Sequence, residues 1–190
     1  MKRELVFERT YPHPPSLVWR ALTEKEALGE WLMENDFEPR VGHRFTFRTK
    51  PAPGFDGIVQ CEVLEIVEQK RLVYSWKGGP IDTVITFTLE EAERGTKLHV
   101  RQTGFDGLRS VLVSYILQSG IRPLYDRKLP VVLEKLSRGN FVAAPADCST
   151  ELDSRATPRV KALMHVAAIL PEKKRGEQAP PRKEQGEEEV

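Results

Sequence analysis

The chain has 190 residues, a formal net charge of +1, 39% hydrophobic and 30% charged residues. That length accommodates one domain of ordinary size with an appendage, large enough to bury a core without disulfides or metals. The near-neutral charge argues against a nucleic-acid footprint, and no apolar run approaches the length of a spanning helix. The first residues, Met1-Lys2-Arg3-Glu4-Leu5, lead directly into an alternating run without a leader-like apolar stretch, so a cytoplasmic location is expected. The two cysteines, Cys61 and Cys148, are too far apart for a zinc or redox motif.

From Glu4 to Tyr11, Leu5, Phe7 and Tyr11 share one parity and Glu4 and Glu8 the other, which predicts a half-buried strand. Pro14 and Pro15 suit the first turn of a helix that runs to about Leu22. Thr23-Glu24-Lys25-Glu26 has the spacing of a capping box and predicts a second short helix, ended by Gly29.

Strands follow. Phe45 and Phe47 share a face between His43 and Arg48, with Arg44, Thr46 and Arg48 opposite. In the run from Gly57 to Val67, Val59, Cys61 and Val63 are in step, whereas Leu64 and Ile66 take the other parity, which predicts a bulge. Leu72, Tyr74 and Trp76 continue the pattern to a hairpin turn at Lys77-Gly78-Gly79-Pro80. Ile81, Ile85, Phe87 and Leu89, then a turn at Glu93-Arg94-Gly95, then Leu98 and Val100, complete an antiparallel meander of five or six strands.

Asp106 to Leu136 has helical periodicity and would span about 45 Å if straight. Gly120, Pro123 and Pro130 predict a bend, because an interior proline removes a hydrogen bond and clashes with the preceding turn. The half from Leu108 to Ile121 is apolar nearly all round, so it is expected to be buried on more than one side. The whole is an α+β chain, a curved antiparallel sheet wrapped on a long C-terminal helix.

Composition changes near Gly139: residues 140–190 contain no Trp or Tyr, and Pro171 to Val190 is mostly Pro, Lys, Arg, Gln and Glu. The expected division is a domain over 1–138, followed over 139–190 by a linker, a short helix at 158–170 and a disordered charged tail.

The run PPSLVWRALTEKEALGEWLM, Pro14 to Met33, resembles the opening signature of the SRPBCC superfamily, START and Bet v 1-like, in the subfamily named after the C-terminal domain of the activator of Hsp90 ATPase. PRVGHRFTFR (Pro39–Arg48), GIVQCEVLEI (Gly57–Ile66), RLVYSW (Arg71–Trp76) and VITFTLEEAERGTKLHVRQTGF (Val84–Phe105) follow in the expected order. The chain departs from many relatives at Gly120-Ile121-Arg122-Pro123, where a Trp often follows the Gly. The resemblance implies a helix-grip fold over residues 1 to about 138. It implies no single function, since carriers, receptors, cyclases and regulators share that scaffold. The eukaryotic cochaperone carries a second, N-terminal domain, and with a first strand predicted from Glu4 no such domain is expected here.

Catalytic motifs are absent. His13, His43, His99 and His165 show no metal-ligand spacing, and there is no HExxH, GxSxG, GxGxxG or P-loop. His99 shares parity with Lys97 and Arg101, which places it on a solvated strand face, and Cys61 reads as a small buried hydrophobe. No catalytic residue, metal or cofactor is therefore expected.

The aromatic side chains are more informative. Trp31, Phe45, Phe47, Tyr74, Trp76, Phe87 and Tyr115 fill a core on one reading and line a ligand cavity on the other. The expected cavity consists of Trp31, Phe45, Phe47, Cys61, Tyr74, Trp76, Phe87, Leu112, Tyr115 and Ile116, with Arg48, Tyr74 and Tyr115 as polar contacts. The function expected from it is non-enzymatic binding of a small hydrophobic or amphipathic molecule, with no nucleic-acid partner and no membrane span. The alternatives are a regulatory or cochaperone-like interaction module and a cyclase- or hydrolase-like enzyme that uses the same cavity.

Overall fold

Period-2 alternation carries through most of the sheet of the computed structural model, which describes residues 2–51 and 54–139. Strand β1 spans Lys2–Tyr11 and is followed by helices α1 (Pro15–Thr23) and α2 (Lys25–Trp31). Strands β2 (Glu34–Asn35), β3 (Arg44–Arg48), β4 (Ile58–Val67), β5 (Arg71–Gly78), β6 (Ile81–Ala92) and β7 (Gly95–Asp106) come next. The last element is one broken helix: α3 (Leu108–Pro123), a π-turn (Leu124–Lys128) and α4 (Leu129–Ser137). The expected linker, the helix at 158–170 and the charged tail lie outside the described residues.

All strands form one antiparallel sheet in the order β1-β7-β6-β5-β4-β3-β2. Consecutive strands are neighbours except that β1 pairs with β7, which puts the first and last strands side by side. The pairing of β4 with β5 shifts between Val63 and Glu65, at the parity change that predicts a bulge. On β6 the buried residues are Ile81, Thr83, Ile85, Phe87 and Leu89, every second position, so this face looks inward. The outer face carries ion pairs, including Glu4–Arg101, Glu8–Lys97 and His99 between Glu8 and Glu90. Such exposed pairs add little stability but keep that face wet, as expected for His99.

Helices α1 and α2 lay Val18, Ala21, Leu22, Ala27, Leu28 and Trp31 onto the core, and α4 adds Leu129, Val132, Leu133 and Leu136. The turn from β6 to β7 needs Gly95: its φ is +125°, and a Cβ there would meet the Tyr11 carbonyl oxygen at 2.1 Å.

Three local expectations are corrected. The Thr23 capping box does not form, because the Thr23 hydroxyl turns back to donate to the Trp19 carbonyl at 2.7 Å and Glu24 becomes the N-cap without a side-chain cap bond. Gly29 lies inside α2 and does not end it. The first half of the long helix is not buried all round: Val111 and Ser114 are buried, but Leu108 and Tyr115 are 66% and 58% exposed. The reason is coverage, since α3 packs on β1 and β7 at one side of the sheet and on the π-turn, leaving its far face open. The strand count is also one higher, through the two-residue β2.

Candidate functional site

The inward alternation of β3, β5 and β6 brings five aromatic rings together. Tyr74 on β5 is central: its ring centroid lies 5.5 Å from Phe45, 6.2 Å from Phe47, 6.5 Å from Trp76 and 5.5 Å from Phe87. Phe45 and Phe47 meet edge to face at 5.3 Å, and Phe47 lies 5.3 Å from Trp76. Edge-on and tilted contacts suit the ring quadrupoles. Phe45, Phe47, Tyr74 and Phe87 are buried, whereas Trp76 is half-buried at the end of the row. Beside it Phe55, also half-buried, packs over the hairpin, where a Cβ on Gly78 would stand 3.1 Å from the Phe55 ring.

The Tyr74 hydroxyl is fully buried and has no hydrogen-bond partner among the described residues. Burial pushes its phenol well above the ordinary value, with smaller contributions from neighbouring Tyr125 and Cys61. Burial likewise raises the Cys61 thiol, with Asp36 adding to the effect. Tyr11 and Tyr125 are raised by burial as well. The titratable groups of the interior are therefore neutral at physiological pH. The buried polar residues are Thr23, Asn35, Thr83, Thr96, Gln102, Ser110 and Ser114, none of them charged.

The remaining expected site residues separate into groups. Trp31 is buried but belongs to the helical layer: its indole N–H donates to the Ala21 carbonyl at 2.9 Å and its ring lies 5.3 Å from Tyr125. Cys61 sits beneath the row on β4, opposite Phe45 in the β3–β4 pairing. Leu112 is half-buried on α3, and the side chain of Ile116 lies outside those described. Tyr115 and Arg48 correct the expectation of inward polar contacts. Tyr115 is on the open face of α3, with the Arg3 guanidinium 3.5 Å above its ring. Arg48 is exposed because it alternates with buried Phe47 along β3.

Sequence reasoning missed two polar contacts of the inner side, Gln102 with Thr83 and Arg3 with Ser114. Gln102 donates to the Thr83 hydroxyl at 2.9 Å, Arg3 donates to the Ser114 hydroxyl at 3.0 Å, and Ser114 donates to the Val111 carbonyl at 2.6 Å. The buried Ser110 hydroxyl has no partner among the described residues. The available signal was parity: Thr83 and Gln102 stand at inward positions of β6 and β7. Two open clefts of about 450 and 680 Å³ lie elsewhere on the surface, one along α4 at Pro130, Val131 and Glu134, the other beside Val67, Lys70 and Leu89. Neither is lined by a residue of the expected cavity. Among the described residues no group of His, Cys, Asp or Glu is placed to hold a metal ion, and no helix is long and apolar enough to cross a membrane.

A curved antiparallel sheet closed by a broken C-terminal helix, with two short helices after the first strand, defines a helix-grip protein of the SRPBCC type. The chain belongs to the activator of Hsp90 ATPase homolog 1-like protein family, whose sequence pattern matches residues 12–134. It is similar to the crystal structure of protein MLL2253 from Mesorhizobium loti, with 36% identity, a TM-score of 0.62, and coverage of 70% of this chain and 98% of that one. Protein Mll3558 from Rhizobium loti is 26% identical with a TM-score of 0.57, over 70% and 97% of the two chains. The solution structure of BH1534 from Bacillus halodurans, 24% identical, has a TM-score of 0.58 over 70% and 99% and shows the shared fold. No curated protein matches the chain.

Proposed function

We propose that this protein is a non-enzymatic binder of a small hydrophobic or amphipathic molecule, held between the inner face of the sheet and the helical layer. The observation that carries the reading is the continuous group of Phe45, Phe47, Phe87, Tyr74 and Trp76, which runs from the buried interior to a half-buried end at Trp76. Apolar and aromatic lining with few polar groups is the usual make-up of small-molecule sites. A binding role rather than catalysis is supported by the neutral interior, since the perturbed groups there are phenols and a thiol pushed away from ionisation. A cytoplasmic location is part of the same reading and is supported by a free, buried Cys61.

The test is a titration of the full chain with small neutral aromatic compounds, followed by tryptophan fluorescence and by chemical shifts of the Tyr74 and Trp76 rings. Saturable binding with shifts confined to the aromatic row is the expected result. Shifts confined to the outer faces, or none, would leave the regulatory, protein-interacting reading in its place.

A further inference from the structure

A buried hydroxyl without a partner is costly, because the water it loses on folding is not replaced. Most buried polar atoms are paired, and an exception calls for an explanation. The Tyr74 hydroxyl is such an exception. It projects from a ring that touches Phe45, Phe47, Trp76 and Phe87. The ring is thus walled by aromatic side chains, and the Tyr125 phenol and Cys61 thiol lie near the hydroxyl without pairing with it.

We infer that the Tyr74 hydroxyl is the single polar anchor of the ligand site, donating its proton to one neutral acceptor oxygen, such as a ketone or ester carbonyl, on an otherwise apolar molecule. The inference rests on the binding reading above and adds the chemical class of the ligand. The charge of that ligand follows from the surroundings. No charged side chain is among the buried residues described, and Arg48, the cation expected there, is exposed on the other face of β3. A carboxylate would enter without a counter-charge, which a low-dielectric interior penalises heavily. A neutral carbonyl needs one donor and finds one. A plain hydrocarbon would fit the rings but leave the phenol unpaired, so it forfeits the hydrogen bond.

The Trp76 end is the least covered part of the aromatic group. There Trp76 and Phe55 stay half-buried, and the packing of α3 is on β1, β7 and the π-turn. A ligand admitted from that end would reach the Tyr74 hydroxyl with its acceptor leading.

The test uses three probes of similar size: acetophenone (neutral carbonyl), cumene (no acceptor) and benzoate (carboxylate). Each is titrated calorimetrically into the full chain and into Tyr74→Phe. Acetophenone is expected to bind wild type about tenfold more tightly than cumene, with benzoate weakest, and Tyr74→Phe is expected to erase the difference between the first two. Because the hydroxyl has no partner in the free protein, Tyr74→Phe should also melt no lower than wild type. Equal affinities for acetophenone and cumene, or a preference that survives in Tyr74→Phe, would overturn the anchor and leave the binding function standing. Tightest binding of benzoate would overturn the neutral class. A variant that melts several degrees lower would show that the hydroxyl is already paired internally, which also removes the inference. Failure of all three probes to bind would overturn the anchor and the binding function together.

Discussion

The Tyr11 hydroxyl donates to the main-chain carbonyl of Tyr125 across 2.9 Å, tying the end of β1 to the π-turn. The need for that bond originates at Pro130. The Leu129 N–H, which a regular α-helix would give to Tyr125, goes to Leu124 instead. The next residue, Pro130, has no N–H to give. The Tyr125 carbonyl is thus orphaned by its own helix and satisfied from the sheet. Phe7 stacks on the Tyr125 ring at 4.6 Å, and Arg9 pairs with Asp126, so three residues of β1 hold the same turn.

Tyr11→Phe is therefore expected to cost about 1–3 kcal/mol, the penalty of leaving a buried carbonyl unpaired. In a Pro130→Ala background, where residue 130 can donate to Tyr125, the same change should cost less. Urea unfolding of the four proteins in a double-mutant cycle measures this. Equal costs in both backgrounds would separate the Tyr11 bond from the proline.

Tyr74 makes the contrast. The hydroxyls of Tyr11 and Tyr74 are both deep in the interior, yet only the first has a partner. Under the same urea protocol Tyr74→Phe should fall within about 0.5 kcal/mol of wild type or above it. A loss comparable to that of Tyr11→Phe would contradict the unpaired state.

Two tryptophans of the expected cavity should differ in weight. Trp31 is wholly buried and its N–H is paired with the Ala21 carbonyl, so Trp31→Ala should cost about 3–5 kcal/mol. Trp76 is half-buried, and Trp76→Ala should cost clearly less while weakening binding of apolar compounds. The comparison needs only chemical denaturation and one ligand titration. A larger stability loss at Trp76 would mean that it is a packed core residue.

The Asp36 carboxylate accepts the Thr46 N–H at 2.6 Å and the Thr46 hydroxyl at 3.1 Å, the backbone bond being the main cause of a pKa held below its ordinary value of 3.8. A carboxyl depressed on folding contributes stability that is fully present above its unfolded value and is lost as pH falls through the folded one. Melting temperature should therefore drop more steeply below about pH 4 in wild type than in Asp36→Asn. Parallel acid limbs would refute the assignment.

The Cys61 thiol, pushed up by burial, should resist thiol reagents in the folded state at pH 8. In a Cys148→Ser protein, which carries a single thiol, labelling by Ellman's reagent should appear only on unfolding. Rapid labelling of the folded protein would place Cys61 in open contact with solvent.

Much of the sheet was legible residue by residue. Alternation alone placed Phe45, Phe47, Tyr74 and Phe87 on one face, and the parity break after Val63 located the β4 bulge, because strand side chains follow a strictly local period of two. The prolines foretold the break in the long helix. What sequence could not settle were the outcomes that depend on an opposing layer. Apolar residues nearly all round α3 predicted burial on more than one side, but a helix is buried only where something covers it, and α3 lies toward one side of the sheet with Tyr115 turned to solvent. The local spacing of Thr23 and Glu26 suggested a cap, yet the Trp19 carbonyl won the hydroxyl. Tyr11 and Tyr74 state the limit most clearly. Both were readable as inward phenols on strands, and nothing in either local sequence distinguishes a paired hydroxyl from an unpaired one. That difference was made by Pro130, more than a hundred residues from Tyr11, and by the rings that surround Tyr74. Hydrophobic facing is decided along the strand, whereas satisfaction of a buried polar atom is decided by whichever atoms the tertiary fold brings against it.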